Sequence, residues 1–133
     1  MDYPEWVRQY GVGHPTLDSC HHIFFQAVEQ LDKVAGEGNL GAAMERMAFL
    51  LMYCAMHFGE EEEILHDAGY PDLEHHHAIH ERFRRRMTIL HEELERHPSP
   101  WIAAQTAIEM RAWWLHHIQN EDRQFVPYLK ALE

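Results

Sequence analysis

The chain has 133 residues, 46% hydrophobic and 25% charged, which is the size and balance expected of one globular domain with a buried core. A formal net charge of −11 sets it against phosphate backbones and anionic lipid, so nucleic acid and membrane surfaces are not expected as partners. No apolar run reaches the ~18 residues of a membrane-spanning helix. The opening Met1-Asp2-Tyr3-Pro4-Glu5 also lacks the basic and apolar parts of a signal peptide, so a cytoplasmic protein without membrane insertion is expected. The two cysteines, Cys20 and Cys54, are not expected to pair in that compartment. Thirteen histidines are the anomaly that a function has to explain.

Glycine and proline divide the chain. Residues 1–16 carry Pro4, Gly11, Gly13 and Pro15 and read as an irregular arm, with Trp6, Val7, Tyr10 and Val12 available to pack on the body. A first helix is predicted from about Asp18 to Ala35, capped by Thr16 or Asp18 and stopped by Gly36 and Gly38. Its apolar stripe is Leu17, His21, Phe24, Val28, Leu31 and Ala35, with His22 on the polar face. A second helix is predicted from about Leu40 to Asp67, ended by Gly69 and Pro71. Its stripe runs Leu40, Met44, Met47, Leu51, Cys54, Phe58 and Glu61, with His57 beside the seam.

A third helix, from about Asp72 to Arg96, has the cleanest stripe: Leu73, His76, His80, Phe83, Met87, Leu90 and Leu94. His77 falls on its solvated face. The last helix is predicted over residues 99–130, with Ser99 as cap and Pro100 in the first turn. Its stripe of Ala103, Thr106, Met110, Trp113 and His117 slips before resuming as Asp122, Phe125, Leu129 and Leu132. Five residues turn an ideal helix by ~140°, so a wide π-type turn is expected between His117 and Asp122, and Pro127 is expected to kink or end the helix. The fold class is therefore all-α: an up-down-up-down antiparallel four-helix bundle in a single domain spanning 1–133.

Each of these stripes carries polar groups where burial costs several kcal/mol unless they are satisfied. Counting ~1.5 Å per residue from each turn places His21, His57, Glu61, His76, His80, His117 and Asp122 within about two helical turns of one depth. Five imidazoles and two carboxylates exceed what one ion takes. They suit two ions bridged by the carboxylates, and mixed nitrogen and oxygen donors without inward thiolates point to iron or manganese.

Leu17-Asp18-Ser19-Cys20-His21, His57-Phe58-Gly59-Glu60-Glu61, the His76/His80 pair and Trp114-Leu115-His116-His117-Ile118 followed by Asp122 resemble the hemerythrin family, above all its single-domain bacterial members. The likeness covers nearly the whole chain. It implies two iron ions (Fe2+/Fe3+) with a bridging oxo or hydroxo group. His76, His80 and His117 would bind one iron and His21 and His57 the other, with Glu61 and Asp122 bridging. One open position would be left on the His21/His57 iron. The implied function is reversible dioxygen binding for storage, transport or delivery inside the cell, without enzymatic turnover.

Phe24, Phe58, Trp113 and Ile118 lie within a turn of the open iron's ligands and are the candidates to line an oxygen pocket, a role compatible with core packing. Rival functions on the same scaffold are a di-iron oxidase or peroxidase, a nitric-oxide-handling enzyme, and an oxygen or iron sensor. Glu63-x-x-His66 and Glu74-x-x-His77 mimic the Glu-x-x-His ligand pairs of other di-iron proteins but sit at the wrong depth or on a polar face. His14, His22, His66, His75, His91, His97 and His116 are read as non-ligands, and Glu60, Glu62 and Glu63 as a solvated acidic face. Met44, Met47, Met52, Met56, Met87 and Met110 are read as core filler. The charged outer faces suggest a monomer, with any protein that receives the oxygen unspecified.

Overall fold

The computed structural model describes residues 1–130, which leaves the expected stripe member Leu132 outside the described residues. Among the described residues every regular element is helical. A short α1 (Tyr3–Tyr10) precedes four long helices: α2 (Pro15–Gly36), α3 (Leu40–Asp67), α4 (Leu73–Arg96) and α5 (Pro100–Asn120). A 3-10 segment, Asp122–Phe125, and a final α6 (Val126–Lys130) complete the order. Helix α2 packs on both α3 and α5, and α4 packs on α3 and α5, so the four long helices share one core.

Side-chain caps start α2, α3 and α5, and glycines stop α2 and α3. The Asn39 carboxamide accepts from Ala42 N–H at 3.1 Å and the Ser99 hydroxyl from Ile102 N–H at 3.4 Å, satisfying first-turn donors that have no partner within the helix. At the C-terminal ends of α2 and α3 the chain turns through Gly38 (φ 74°) and Gly69 (φ 71°). That left-handed conformation is cheap only without a Cβ. It lets Asn39 N–H reach the Val34 carbonyl at 2.9 Å and Tyr70 N–H reach the Leu65 carbonyl at 3.0 Å, closing both helices in the Schellman manner.

The α2 stripe of Leu17, His21, Phe24, Val28, Leu31 and Ala35 is buried along its length. Met47, Cys54 and Phe58 from α3, Phe83, Met87 and Leu94 from α4, and Met110 and Trp114 from α5 complete the core. Each large apolar side chain withdrawn from water in this way contributes about 1.5–3 kcal/mol before conformational entropy is set against it. Met52 and Met56, expected in the core, are instead exposed on the outer face of α3. They fall on the far side of the helix from Cys54 and Phe58.

Four further expectations are corrected. Residues 1–16 are not an irregular arm: Asp2 accepts from Glu5 N–H at 2.9 Å, Pro4 lies in the first turn, and an eight-residue helix forms around the fully buried Trp6. Cap and proline create α1, and one buried indole anchors it. That arm covers His22, which is buried rather than wet, with its Nε2 3.0 Å from the Met1 carbonyl and its ring beside Tyr3 and Trp6. The cap of α2 is His14, whose Nδ1 accepts from Leu17 N–H at 3.4 Å. Asp18 lies inside the helix, and its carboxylate accepts the buried Val12 N–H at 2.7 Å, tying the arm to α2. Finally, no π-turn follows His117. Helix α5 ends at Asn120 and Asp122 opens the tighter 3-10 segment. Pro127 stands in the first turn of α6, where its missing N–H costs nothing.

Candidate metal centre

Three residues of α2 and α3 form one half of the site. The Nε2 atoms of His21 and His57 each lie 3.1 Å from Glu61 Oε2. His57 and Glu61 are four residues apart on α3 and so project from one face, while His21 comes across from α2. The other half is built from α4, α5 and the 3-10 segment. His76 Nε2 is 2.8 Å from Glu61 Oε1 and 3.1 Å from Asp122 Oδ1. His80 Nε2 is 3.3 Å from Glu61 Oε1, and His117 Nε2 is 3.0 Å from both His80 Nε2 and Asp122 Oδ1. Asp122 Oδ2 turns the opposite way, to 3.4 Å from His21 Nε2.

The donor atoms thus fall into two sets, Glu61 with His76, His80, His117 and Asp122, and Glu61 with His21 and His57. Both carboxylates lie between the sets, with one oxygen facing each. All seven side chains are buried.

The electrostatics favour a positive centre. Burial alone would raise the Glu61 carboxyl, yet the imidazoles of His21, His57, His76 and His80 hold it well below its usual range. Burial and the neighbouring Glu61 push Asp122 up, but His117 and His76 bring it below the usual carboxylate range. Burial opposes a charged His57, and the nearby Cys20 together with Glu61 and Asp122 raise it to about 10. His76 is likewise held down by burial but raised to about 10 by Asp122 and Glu61.

Hydrogen bonding leaves this cluster incomplete. Both Asp122 oxygens lie 3.0–3.4 Å from imidazole nitrogens, but no N–H is aligned on either, and the Nδ1 atoms of His21, His57 and His117 are also unpartnered. Native interiors rarely leave so many buried polar atoms unsatisfied. Asp122 oxygens that lie among imidazole nitrogens without an aligned hydrogen fit cations shared by the donors, and five imidazoles with two carboxylates are a suitable donor set for iron.

A chain-wide likeness agrees. The family described as the hemerythrin HHE cation binding domain matches residues 12–129. The chain belongs to the hemerythrin family. It is 26% identical to a bacteriohemerythrin of Methylococcus capsulatus over 94% of this chain and 95% of that protein. It is 24% identical to a myohemerythrin of Theromyzon tessulatum over 91% of this chain and 89% of that one. Among solved structures, a wild-type hemerythrin superposes with a TM-score of 0.85 at 25% identity, covering 92% of this chain and 94% of the other.

The aromatic residues around the hemerythrin-family centre need one correction. Trp113, expected by the His21/His57 half, instead stacks on His117 at 4.5 Å between ring centroids and on Phe83 at 3.7 Å. Its neighbour Trp114 takes the expected place. The Trp114 ring is 5.7 Å from both His21 and His57, its indole N–H donates to the His21 carbonyl at 3.0 Å, and Phe24 stacks on it at 3.8 Å. Phe58 lies flat on His80 at 3.8 Å and also edges His57 at 5.9 Å. Ile118 is buried one residue beyond His117. Sequence reasoning missed Trp114 because a 3.6-residue period starting from Met110 admits either tryptophan.

It also placed Glu62 on a solvated face. The Glu62 carboxylate is only 20% exposed and lies against both His80 Nδ1 and His77 Nδ1. The spacing of His77 and His80, three residues apart on α4, carries the signal, since one carboxylate from α3 can span them. His77 itself is 54% exposed.

Proposed function

We propose that this hemerythrin-family chain holds two iron ions, joined by a solvent-derived oxo or hydroxo bridge, and binds dioxygen reversibly as a store, carrier or delivery protein. The observation that carries this is the pair of spanning carboxylates: Glu61 and Asp122 each turn one oxygen toward His21 and the other toward the His76 set. His76, His80 and His117 would hold one ion, His21 and His57 the other, and Glu61 and Asp122 both. A ferrous pair held there would supply two electrons to dioxygen on binding and recover them on its release.

The protein's own residues set where that happens. Three imidazoles serve one side and two the other, so the space for a small ligand is on the His21/His57 side. Trp114 and Phe24 wall that side with apolar rings, and the buried α2 stripe with Met47, Cys54 and Phe58 of α3 keeps bulk water away. Such exclusion protects a ferrous site from loss of electrons to solvent. The short connections between α2, α3, α4 and α5 support an up-down-up-down antiparallel order in a single domain. No helix among the described residues is long and apolar enough to cross a membrane.

Iron-loaded protein is expected to colour in air, bleach under nitrogen and colour again on re-exposure, with two iron atoms per chain. A second function, a peroxidase or oxidase, is favoured by the half-buried Cys20 thiol that neighbours His57 and Tyr53. Colour lost permanently, with turnover of an added reductant, would select it and overturn reversible binding.

A further inference from the structure

Of the five buried imidazoles in the centre, His21, His57, His76, His80 and His117, only His80 has its outer nitrogen hydrogen-bonded to a carboxylate among the described residues. The Nδ1 atoms of His21, His57 and His117 have no hydrogen-bond partner, whereas His80 Nδ1 lies 2.8 Å from Glu62 Oε2. The other Glu62 oxygen is in short contact with Nδ1 of the half-exposed His77. Glu62 follows Glu61 by one position, about 100° around α3, so one carboxylate enters the centre while the next lies on its α4 flank. Phe58 fixes the same ring from its face, parallel to His80 within 6°. One imidazole is therefore held by edge and by face.

We propose that Glu62 is a positioning residue of the metal centre: it accepts the Nδ1–H of His80 and so leaves Nε2 as the lone pair that binds the metal, while His77 braces the carboxylate from the solvent side. This rests on the metal-binding function proposed above. A neutral imidazole has one N–H and one lone pair, and a carboxylate at Nδ1 decides which nitrogen keeps the proton. The anion also enriches the ring in electrons, which strengthens Nε2 as a donor and favours the more oxidised metal. Loss of such an outer partner typically weakens metal retention about 10–100-fold. The reinforced ring belongs to the three-imidazole set.

The test compares iron-loaded wild type with Glu62→Gln, His77→Ala and, as a neighbouring charge change, Glu63→Gln, whose side chain is exposed. Iron release to excess ferrous chelator under nitrogen and the midpoint potential are measured on each. Glu62→Gln is expected to load the same iron but release it about 10–100-fold faster, with a more positive potential. His77→Ala should show a smaller change in the same direction, and Glu63→Gln none. Release within about twofold of wild type at unchanged potential, or an equal effect from Glu63→Gln, would overturn the role. Should Glu62→Gln fail to fold, nitrogen-15 spectra of zinc-loaded wild type decide: a proton on His80 Nδ1 is expected, and metal bound at Nδ1 would overturn it. Wild type that loads normally beside indifferent variants overturns the Glu62 role alone. Wild type that takes up no metal overturns the metal function as well.

Discussion

Replacing His76 by alanine should damage this protein far more than replacing its neighbour His77. The His76 side chain is 2% exposed, and its Nε2 lies 2.8 Å from Glu61 Oε1 and 3.1 Å from Asp122 Oδ1. The hydrogen bond to Glu61 contributes about 1.5–3 kcal/mol, and the Asp122 contact, with no N–H aligned on it, contributes less. The two are not additive, because both carboxylates keep other imidazoles, but the truncated ring also leaves a cavity. The metal-free protein should lose on the order of 3–5 kcal/mol, a large share of the ~5–15 kcal/mol that holds a domain folded. At about 3 °C per kcal/mol for a chain of this length, Tm falls by roughly 10–15 °C.

His77→Ala gives up a half-exposed pair with Glu62, so the expected change is within about 0.5 kcal/mol. Thermal melts followed by circular dichroism on the metal-free proteins measure both values. Metal analysis after loading should give two ions per chain for His77→Ala and fewer for His76→Ala. A His76→Ala protein that melts like wild type and holds two ions, beside a His77→Ala protein that does not, would refute the placement of α4.

Asp18→Ala should release the N-terminal arm. It leaves the buried Val12 N–H without its 2.7 Å acceptor, at a cost of about 1–3 kcal/mol, and limited proteolysis should cut near Gly11–Gly13 well before the helices. Cleavage no faster than in wild type would show that α1 is held by Trp6 alone. Burial pushes the Cys54 thiol up to about 12, more than the opposing influence of Arg84 and the Ala55 N–H lowers it. Its alkylation by iodoacetamide at mildly alkaline pH should be roughly a thousandfold slower in the folded chain than in denaturant, following the lost thiolate fraction. Because the folded pKa lies above the unfolded value of 9.0, this group's stabilising effect is complete below about pH 9 and is lost as pH rises toward about 12. A chain whose denaturation midpoint rises over that interval would contradict the buried thiol.

Much of the inward face of the helices was legible because it is a local property. A residue at 3.6-residue spacing from Leu73, Phe83 and Met87 faces the core whatever its chemistry, so His76 and His80 were placed before any contact was known. The same rule brought His21, His57 and Glu61 inward. What escaped depends on neighbours distant in sequence. His22 falls on the polar side of α2 by phase, and only α1 folding over it makes it buried. Helix α1 was missed because eight residues are too few to establish a period. Glu62 has the phase of a flanking residue, and its value lies in the partners that α4 supplies.

The slip between His117 and Asp122 was visible in the sequence but wrongly explained. A widened turn would keep one continuous helix and bring the two residues onto one face. The chain instead ends α5 at Asn120, so the ~140° offset of an unbroken helix no longer applies. Asp122, Phe125 and Leu129 then form the buried side of the elements that follow. Phe125 and Leu129 provide the apolar anchorage, and Asp122 is carried into the centre with them. Its two oxygens lie close to His76, His117 and His21, yet no N–H is aligned on them. A carboxylate buried in that state is costly to a metal-free protein, and a helix break that forces it inward is retained more readily if cations complete its coordination. The irregularity that interrupts the fourth long helix is thus the feature that places one of the two spanning carboxylates.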